Sequence, residues 1–530
     1  MKPIPIFILL ILMVLAAGCS PSLPLQASPS LTPRSTLAAP PIETSLPPTA
    51  TTLPADTSLP QIPTLPAGPA AYDYLRRADG GIELVALAAS GRSQQVLRLP
   101  AEVDDPDPAN SLQSMQLSPG GKWLAFYTGS AGDCGSSLSP SGTFGLALNL
   151  VNLSTNTVVV IANLLPSDYP LNFQKNAQDL IAQGTNVEGL TEDSLILTLQ
   201  NAFLCGIHSL SWSPDGSLLA FAGAMDGPSS DTYLYDTLTQ KIRRLSSGPE
   251  EVQWLKWSPD GNWILQGGAW QLGEGMSYDI YASSRDGATV ETLSKSTSGI
   301  VAWLNDTTYL EYDSQNGPGN HNLRAVNVQT GGITNLWKGS FGEYAIDPKH
   351  NRLAVSVSSD PNQAEGSLYL VNLSNGMPTK IKDGVWMIGS FPVGGSSFYI
   401  EQAQVGGQAG DKYILGADGS TTPTDLSFNM LSVAPDGQQW LSLASNTVNV
   451  YSGAATFVRE VNSPVLPDNN PDFVTWNADA SSFFIGYYEG SPDNVSSYSL
   501  VRVDLADGKA VLIDQSPFRL SELVPLSNGK

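Results

Sequence analysis

The sequence predicts an all-β protein, folded as a single β-propeller of four-stranded antiparallel blades, on three observations. A turn of the Ser-Pro-Asp-Gly kind recurs at intervals of 43–46 residues over most of the chain. Short runs rich in aromatic and β-branched residues flank each copy. Finally, 49 Gly and 39 Pro punctuate 530 residues of which only 14% are charged, a composition suited to a folded, turn-rich chain. Four short strands per repeat of about 45 residues make one blade. One ring then replaces the three or four domains that length alone would suggest.

The elements follow in chain order. Residues 1–18 read as a signal peptide: Lys2, an apolar run from Ile4 to Leu15, then Ala16, Ala17 and Gly18. About 12 apolar residues are too few to cross a hydrocarbon core of ~30 Å as a helix. Leu15-Ala16-Ala17-Gly18-Cys19 resembles the lipobox of bacterial lipoproteins, which implies cleavage before Cys19 and lipid attachment to its sulfur; Ala16 stands where that pattern usually has leucine. Residues 19–70 form a stalk, with 13 of the 39 prolines between positions 20 and 69. Proline withholds backbone donors and favours polyproline II, so this stretch acts as a spacer of at most roughly 150 Å.

The propeller is expected over residues 71–530. Its clearest turns are Trp212-Ser213-Pro214-Asp215-Gly216 and Trp257-Ser258-Pro259-Asp260-Gly261. Weaker copies lie at Leu117-Ser118-Pro119, Trp303-Leu304-Asn305-Asp306, Ile346-Asp347-Pro348, Ser390-Phe391-Pro392, Val433-Ala434-Pro435-Asp436 and Trp476-Asn477-Ala478-Asp479. Pro presets φ for the second turn position and Gly accepts the last, so each copy joins two antiparallel strands. Third strands follow, as in Thr232-Tyr233-Leu234-Tyr235 and Ser367-Leu368-Tyr369-Leu370. Eight turns predict eight blades. Seven or nine stay open, because residues 72–100 hold three more strands without a first one, which the tail 518–526 could supply.

These repeats resemble the WD40-like repeats of TolB-type propellers, also found in the propeller of prolyl-oligopeptidase-like serine peptidases. The resemblance spans about residues 71–516 and implies radially arranged blades and protein partners in the cell envelope. No Gly-x-Ser-x-Gly elbow occurs, and only 14 residues follow position 516, so the hydrolase domain of the peptidase relatives is not expected.

One interval, between Pro119 and Pro214, is 95 residues long and so contains a blade plus about 50 surplus residues. The surplus falls at 129–143 and 165–207, with short helices expected at 174–182 and at 192–201 behind Thr191 as cap. In a meander both inserts emerge on the rim opposite the Ser-Pro-Asp-Gly turns. Cys134 and Cys205 lie one in each insert. A disulfide between them is the favoured reading, two buried free thiols the alternative.

Function is far less legible than fold. A net charge of −23 argues against nucleic acid as partner. Three histidines, His208, His321 and His350, are too few for a three-His metal site, and no cofactor is expected. Glu102-Val103-Asp104-Asp105-Pro106-Asp107 lacks the alternating ligands of a calcium loop. Trp123, Trp212, Trp257, Trp303, Trp440 and Trp476 recur beside the turns and read as core. Among residues outside the pattern, His208, His321, Trp254 and Trp270 are retained as weak candidates for a ligand-facing rim; Trp337 and Trp386 are equally little tied to the pattern. The expectation is a lipid-anchored, extracytoplasmic scaffold that binds an envelope protein or glycan and is not an enzyme. The alternatives are a polysaccharide lyase or hydrolase using the channel, or a sensor accessory to a membrane kinase.

Overall fold

The computed structural model describes residues 70–78, 81–91, 93–100, 116–130, 145–155, 157–165, 170–182, 191–207, 209–225, 229–247, 250–269, 278–288, 290–297, 299–313, 322–339, 341–358, 366–393, 397–402, 410–424, 431–436, 438–444, 447–452, 456–462, 470–491, 494–517, 520–521 and 523–525. The signal segment, Cys19, nearly all of the stalk, the first insert with Cys134, and the acidic run at 102–107 lie outside the described residues.

Among the described residues, nine four-stranded antiparallel sheets follow one another along the chain. Blade 1 holds Ala70–Ala78, Gly81–Ala88 and Ser93–Pro100, with Val524–Pro525 beside its first strand. Blade 2 runs from Gln116–Leu117 to Thr157–Leu165, and blade 3 from Leu210–Trp212 through Leu218–Gly223 and Asp231–Asp236 to Lys241–Arg244. Blade 4 comprises Glu251–Trp257, Trp263–Ala269, Tyr278–Ser284 and Val290–Thr297. Blades 5 to 9 open on Gly299–Trp303, Glu343–Asp347, Trp386–Val393, Leu431–Val433 and Asn470–Trp476.

Both faces of a blade are buried, which explains apolar runs without a polar alternation. In blade 3, Leu218, Ala220 and Ala222 pack on blade 4, whereas Leu219 and Phe221 of the same strand pack on blade 2. Every adjacent pair of sheets shares such a cluster. The circle closes through Tyr72, Tyr74 and Val85 of blade 1, which meet Phe484, Tyr498 and Leu500 of blade 9. Leu75 and Leu84 then meet Leu124 and Phe126 of blade 2. Nine sheets with nine apolar seams form a closed ring.

The ring has one blade more than the eight expected. Counting turns between first and second strands misses blade 1, because its first strand comes from the other end of the chain: Tyr72 pairs with Pro525 and Asp73 with Val524. Such closure covers an edge that would otherwise stay open. A second correction concerns Ser390-Phe391-Pro392, which is no turn but part of the strand Trp386–Val393, irregular between Ile388 and Pro392. Proline is tolerated there because a first strand has an unpaired edge.

The Ser-Pro-Asp-Gly turns are built as the residue types dictate. Gly216 and Gly261 adopt φ of 68° and 70°. Ser213 donates to Asp215 at 2.6 Å and accepts from the Leu218 amide at 3.0 Å; Ser258, Asp260 and Trp263 repeat both bonds. Burial alone would raise the Asp215 carboxyl, but hydrogen bonds from Ser213, the Ser217 amide, Arg285 and the Ser217 hydroxyl outweigh it and hold the group well below the usual carboxylate range.

Candidate functional site

Tryptophan indoles tie successive first strands together around the axis. Trp212 Nε1 donates to the Gln116 carbonyl at 3.3 Å, Trp257 Nε1 to the Ser211 carbonyl at 2.9 Å, and Trp476 Nε1 to Ser432 Oγ at 3.0 Å. Each of these rings is buried. The recurrent tryptophans therefore serve architecture, which leaves the axis and the insert-bearing rim as places where non-repeat residues collect.

The second insert supplies two helices, α1 (Pro170–Ala182) and α2 (Glu192–Gly206). Thr191 caps α2 by accepting from the Ser194 amide at 3.2 Å. Leu195, Leu199 and Phe203 recur at i, i+4, i+8, and this stripe enters the apolar seam between blades 2 and 3. The C-terminal end of α2 abuts the first strand of blade 4 so closely that a Cβ on Gly206 would lie 1.7 Å from the Val252 carbonyl oxygen. Three residues beyond that end, Ser209 Oγ donates to the Gln253 carbonyl at 2.8 Å. The insert is thus pinned beside Trp254.

Trp254 is half-buried on that first strand. It follows an irregularity between Val252 and Trp254, and its indole lies over Gly267 of its own blade, where an added Cβ would sit 2.3 Å from the ring. Its ring packs against the seam between blades 4 and 5. His208, His321 and Trp270 lie outside the described residues. Cys205 falls in α2, but its side chain, like Cys134, is outside what is described, and so is their pairing. Of the other tryptophans, Trp386 is buried and Trp337 packs on Tyr369 with ring centroids 5.1 Å apart.

His350 occupies a turn on the other rim, as its position in the repeat implies. Its Nδ1 lies 2.8 Å from Asp347, whose buried carboxylate also accepts from Arg352 Nη2 at 2.6 Å. This trio holds the turn that replaces Ser-Pro-Asp-Gly in blade 6.

Sequence reasoning missed two charged side chains on first strands, Lys256 in blade 4 and Glu343 in blade 6. Both reach water, yet protein hems them in: burial lowers the Lys256 ammonium and raises the Glu343 carboxyl. The available signal was a lysine between Leu255 and Trp257, where other first strands carry uncharged residues such as Gln116, Ser211, Ala302 and Thr475. On blade 7, a cavity of about 370 Å³ is lined by Gly410, Asp411, Lys412, Tyr413, Pro423 and Thr424. The Lys382 ammonium lies 3.8 Å from the centre of the Tyr413 ring. Among the described residues, no three His, Cys, Asp or Glu side chains are grouped so as to hold a metal ion.

Comparison with known proteins agrees with this architecture. Residues 194–227, which span most of α2 and the first two strands of blade 3, match the family described as WD domain, G-beta repeat. The chain is a β-propeller, and this stretch of it is similar to a WD40 repeat. Over 68 residues it is 41% identical to the "Uncharacterized peptidase YuxL" of Bacillus subtilis (strain 168), a stretch that covers 13% of this chain and 10% of that protein. Among solved structures it is similar to the "Crystal structure of the eukaryotic initiation factor", with a TM-score of 0.54 and 12% identity over 87% of this chain and all of that one. At that identity the likeness speaks to fold alone. "Oligogalacturonate lyase in complex with manganese" is more remote, with a TM-score of 0.33 and 15% identity over 61% of this chain and 89% of that one.

Proposed function

We propose that the protein is a lipid-anchored, extracytoplasmic scaffold whose propeller binds an envelope protein or glycan through the insert-bearing rim, and that it is not an enzyme. The observation that carries this reading is α2, a non-repeat element fixed both in the seam of blades 2 and 3 and against the first strand of blade 4. Interaction surfaces are commonly built on such rigidly held departures from a regular scaffold. The lipobox-like Cys19 and the proline-rich stalk support presentation away from a membrane, since two or more acyl chains anchor stably.

Two measurements test it. Radiolabelled palmitate should enter the wild type and not Cys19→Ala; equal labelling refutes the anchor. Cross-linked envelopes should yield partners with the wild type that are lost when residues 170–206 are replaced by a short linker. Equal recovery from a folded deletion variant removes the insert from the binding account.

A further inference from the structure

The seam between blades 3 and 4 gathers three buried side-chain oxygens that have no hydrogen-bond partner among the described residues. Thr232 pairs across its sheet with Ala222, and Leu234 with Ala220, which turns all four side chains toward blade 4. On the facing blade, Ile264 pairs with Ser283 and Gln266 with Tyr281, and Ile264 packs on blade 3, so Gln266 and Ser283 also point into this seam. Thr232, Gln266 and Ser283 are at most 1% exposed. Thr232 Oγ1, Gln266 Oε1 and Ser283 Oγ have no hydrogen-bond partner among the described residues.

The residues opposite explain why. Ala220 and Ala222 offer methyl groups and nothing that donates or accepts. The Tyr281 hydroxyl is engaged by Glu250, and the Glu251 carboxylate accepts from the Ser230 amide at 2.6 Å. Three unpaired oxygens in one apolar seam would forfeit a large share of the net stability of a folded domain. Water is the smallest species that both donates and accepts, and buried polar groups of folded proteins are regularly satisfied by it.

From this we infer that the seam between blades 3 and 4 is a built water site, in which ordered water hydrogen-bonds to Thr232 Oγ1, Gln266 Oε1 and Ser283 Oγ. Blades 3 and 4 are then joined partly through solvent. The Thr232 hydroxyl and Gln266 carbonyl serve the water rather than each other.

The sign of a mutational effect tests the inference. Thr232→Val and Ser283→Ala keep shape and remove one oxygen each. If water bridges these groups, each variant loses a bond and its melting temperature falls by about 2 °C. If the oxygens are dry, replacing them with carbon raises it; a rise, or no change, in both variants overturns the site. A crystal structure of the wild type at better than about 2 Å decides independently of whether the variants fold. Density within hydrogen-bond reach of these oxygens is expected, and a dry seam refutes the proposal.

Discussion

Replacing Asp73 with asparagine should stabilise the ring in alkaline solution and do little in acid. Asp73 is 6% exposed and makes no hydrogen bond or ion pair with a described residue. It lies on the same side of its strand as Leu75, toward blade 2, and pairs with Val524 of the closing strand. Burial raises its carboxyl from 3.8 to about 7. A group whose folded pKa is raised favours the protonated form, so the carboxylate costs nothing below pH ~4. Its cost grows between there and pH 7, then stays constant. The shift corresponds to about 4 kcal/mol at 1.36 kcal/mol per pH unit. Urea unfolding of wild type and Asp73→Asn at pH 4.5, 6 and 8 measures it. The variant should gain progressively, by up to about 4 kcal/mol at pH 8. A stability difference that stays flat across this range, or a variant less stable than wild type at pH 8, refutes the assignment of a lone buried carboxylate.

Three further outcomes follow from the same geometry. Trp257→Phe loses the indole bond to the Ser211 carbonyl and should cost about 1–2 kcal/mol in urea unfolding, whereas a neutral result would mean that the indole ties between first strands carry no energy. Gly267→Ala forces a carbon against the Trp254 ring and should cost about 1–3 kcal/mol, with a red shift in tryptophan emission as the indole is displaced toward solvent. Asp215→Asn removes a carboxylate whose folded pKa is depressed. That group stabilises above pH ~4 and loses its effect as the pH falls, so the variant should melt lower than wild type at pH 7 and approach it by pH 2 in calorimetry.

Much of the fold was legible because its turns leave little choice. Only Gly tolerates the positive φ at 216 and 261 cheaply, and only a short acceptor such as Asp215 can gather the hydroxyls around it. The helices were placed correctly but cut short. α1 begins at Pro170, whose fixed φ suits a first turn. α2 continues past Asn201 because Phe203 is needed in the seam, a demand made by tertiary packing. The blade count of eight comes from counting turns, although the tail reads as a strand that could complete residues 72–100. The strand through Pro392 is mistaken for a turn because its proline resembles the turn proline, whereas the strand pairs with Ser397–Gln402 just after it. The site was legible least. Lys256, Asp73 and the buried oxygens of Thr232 and Gln266 owe their character to the packing of blade on blade, and no spacing along the chain reports that.

Blade 1 also governs when the molecule can be finished. Its partners Tyr72 and Pro525 are 525 − 72 = 453 positions apart, so all eight other blades must be made before the latch can form. Until then the outermost sheets of the arc display apolar flanks meant for each other, Tyr74 and Leu87 on one side and Phe484 and Leu500 on the other. A nascent or truncated chain is an open horseshoe with two adhesive ends, and such ends invite pairing with a second unfinished copy. The short strand Val524–Pro525 is therefore the piece on which closure of the ring waits.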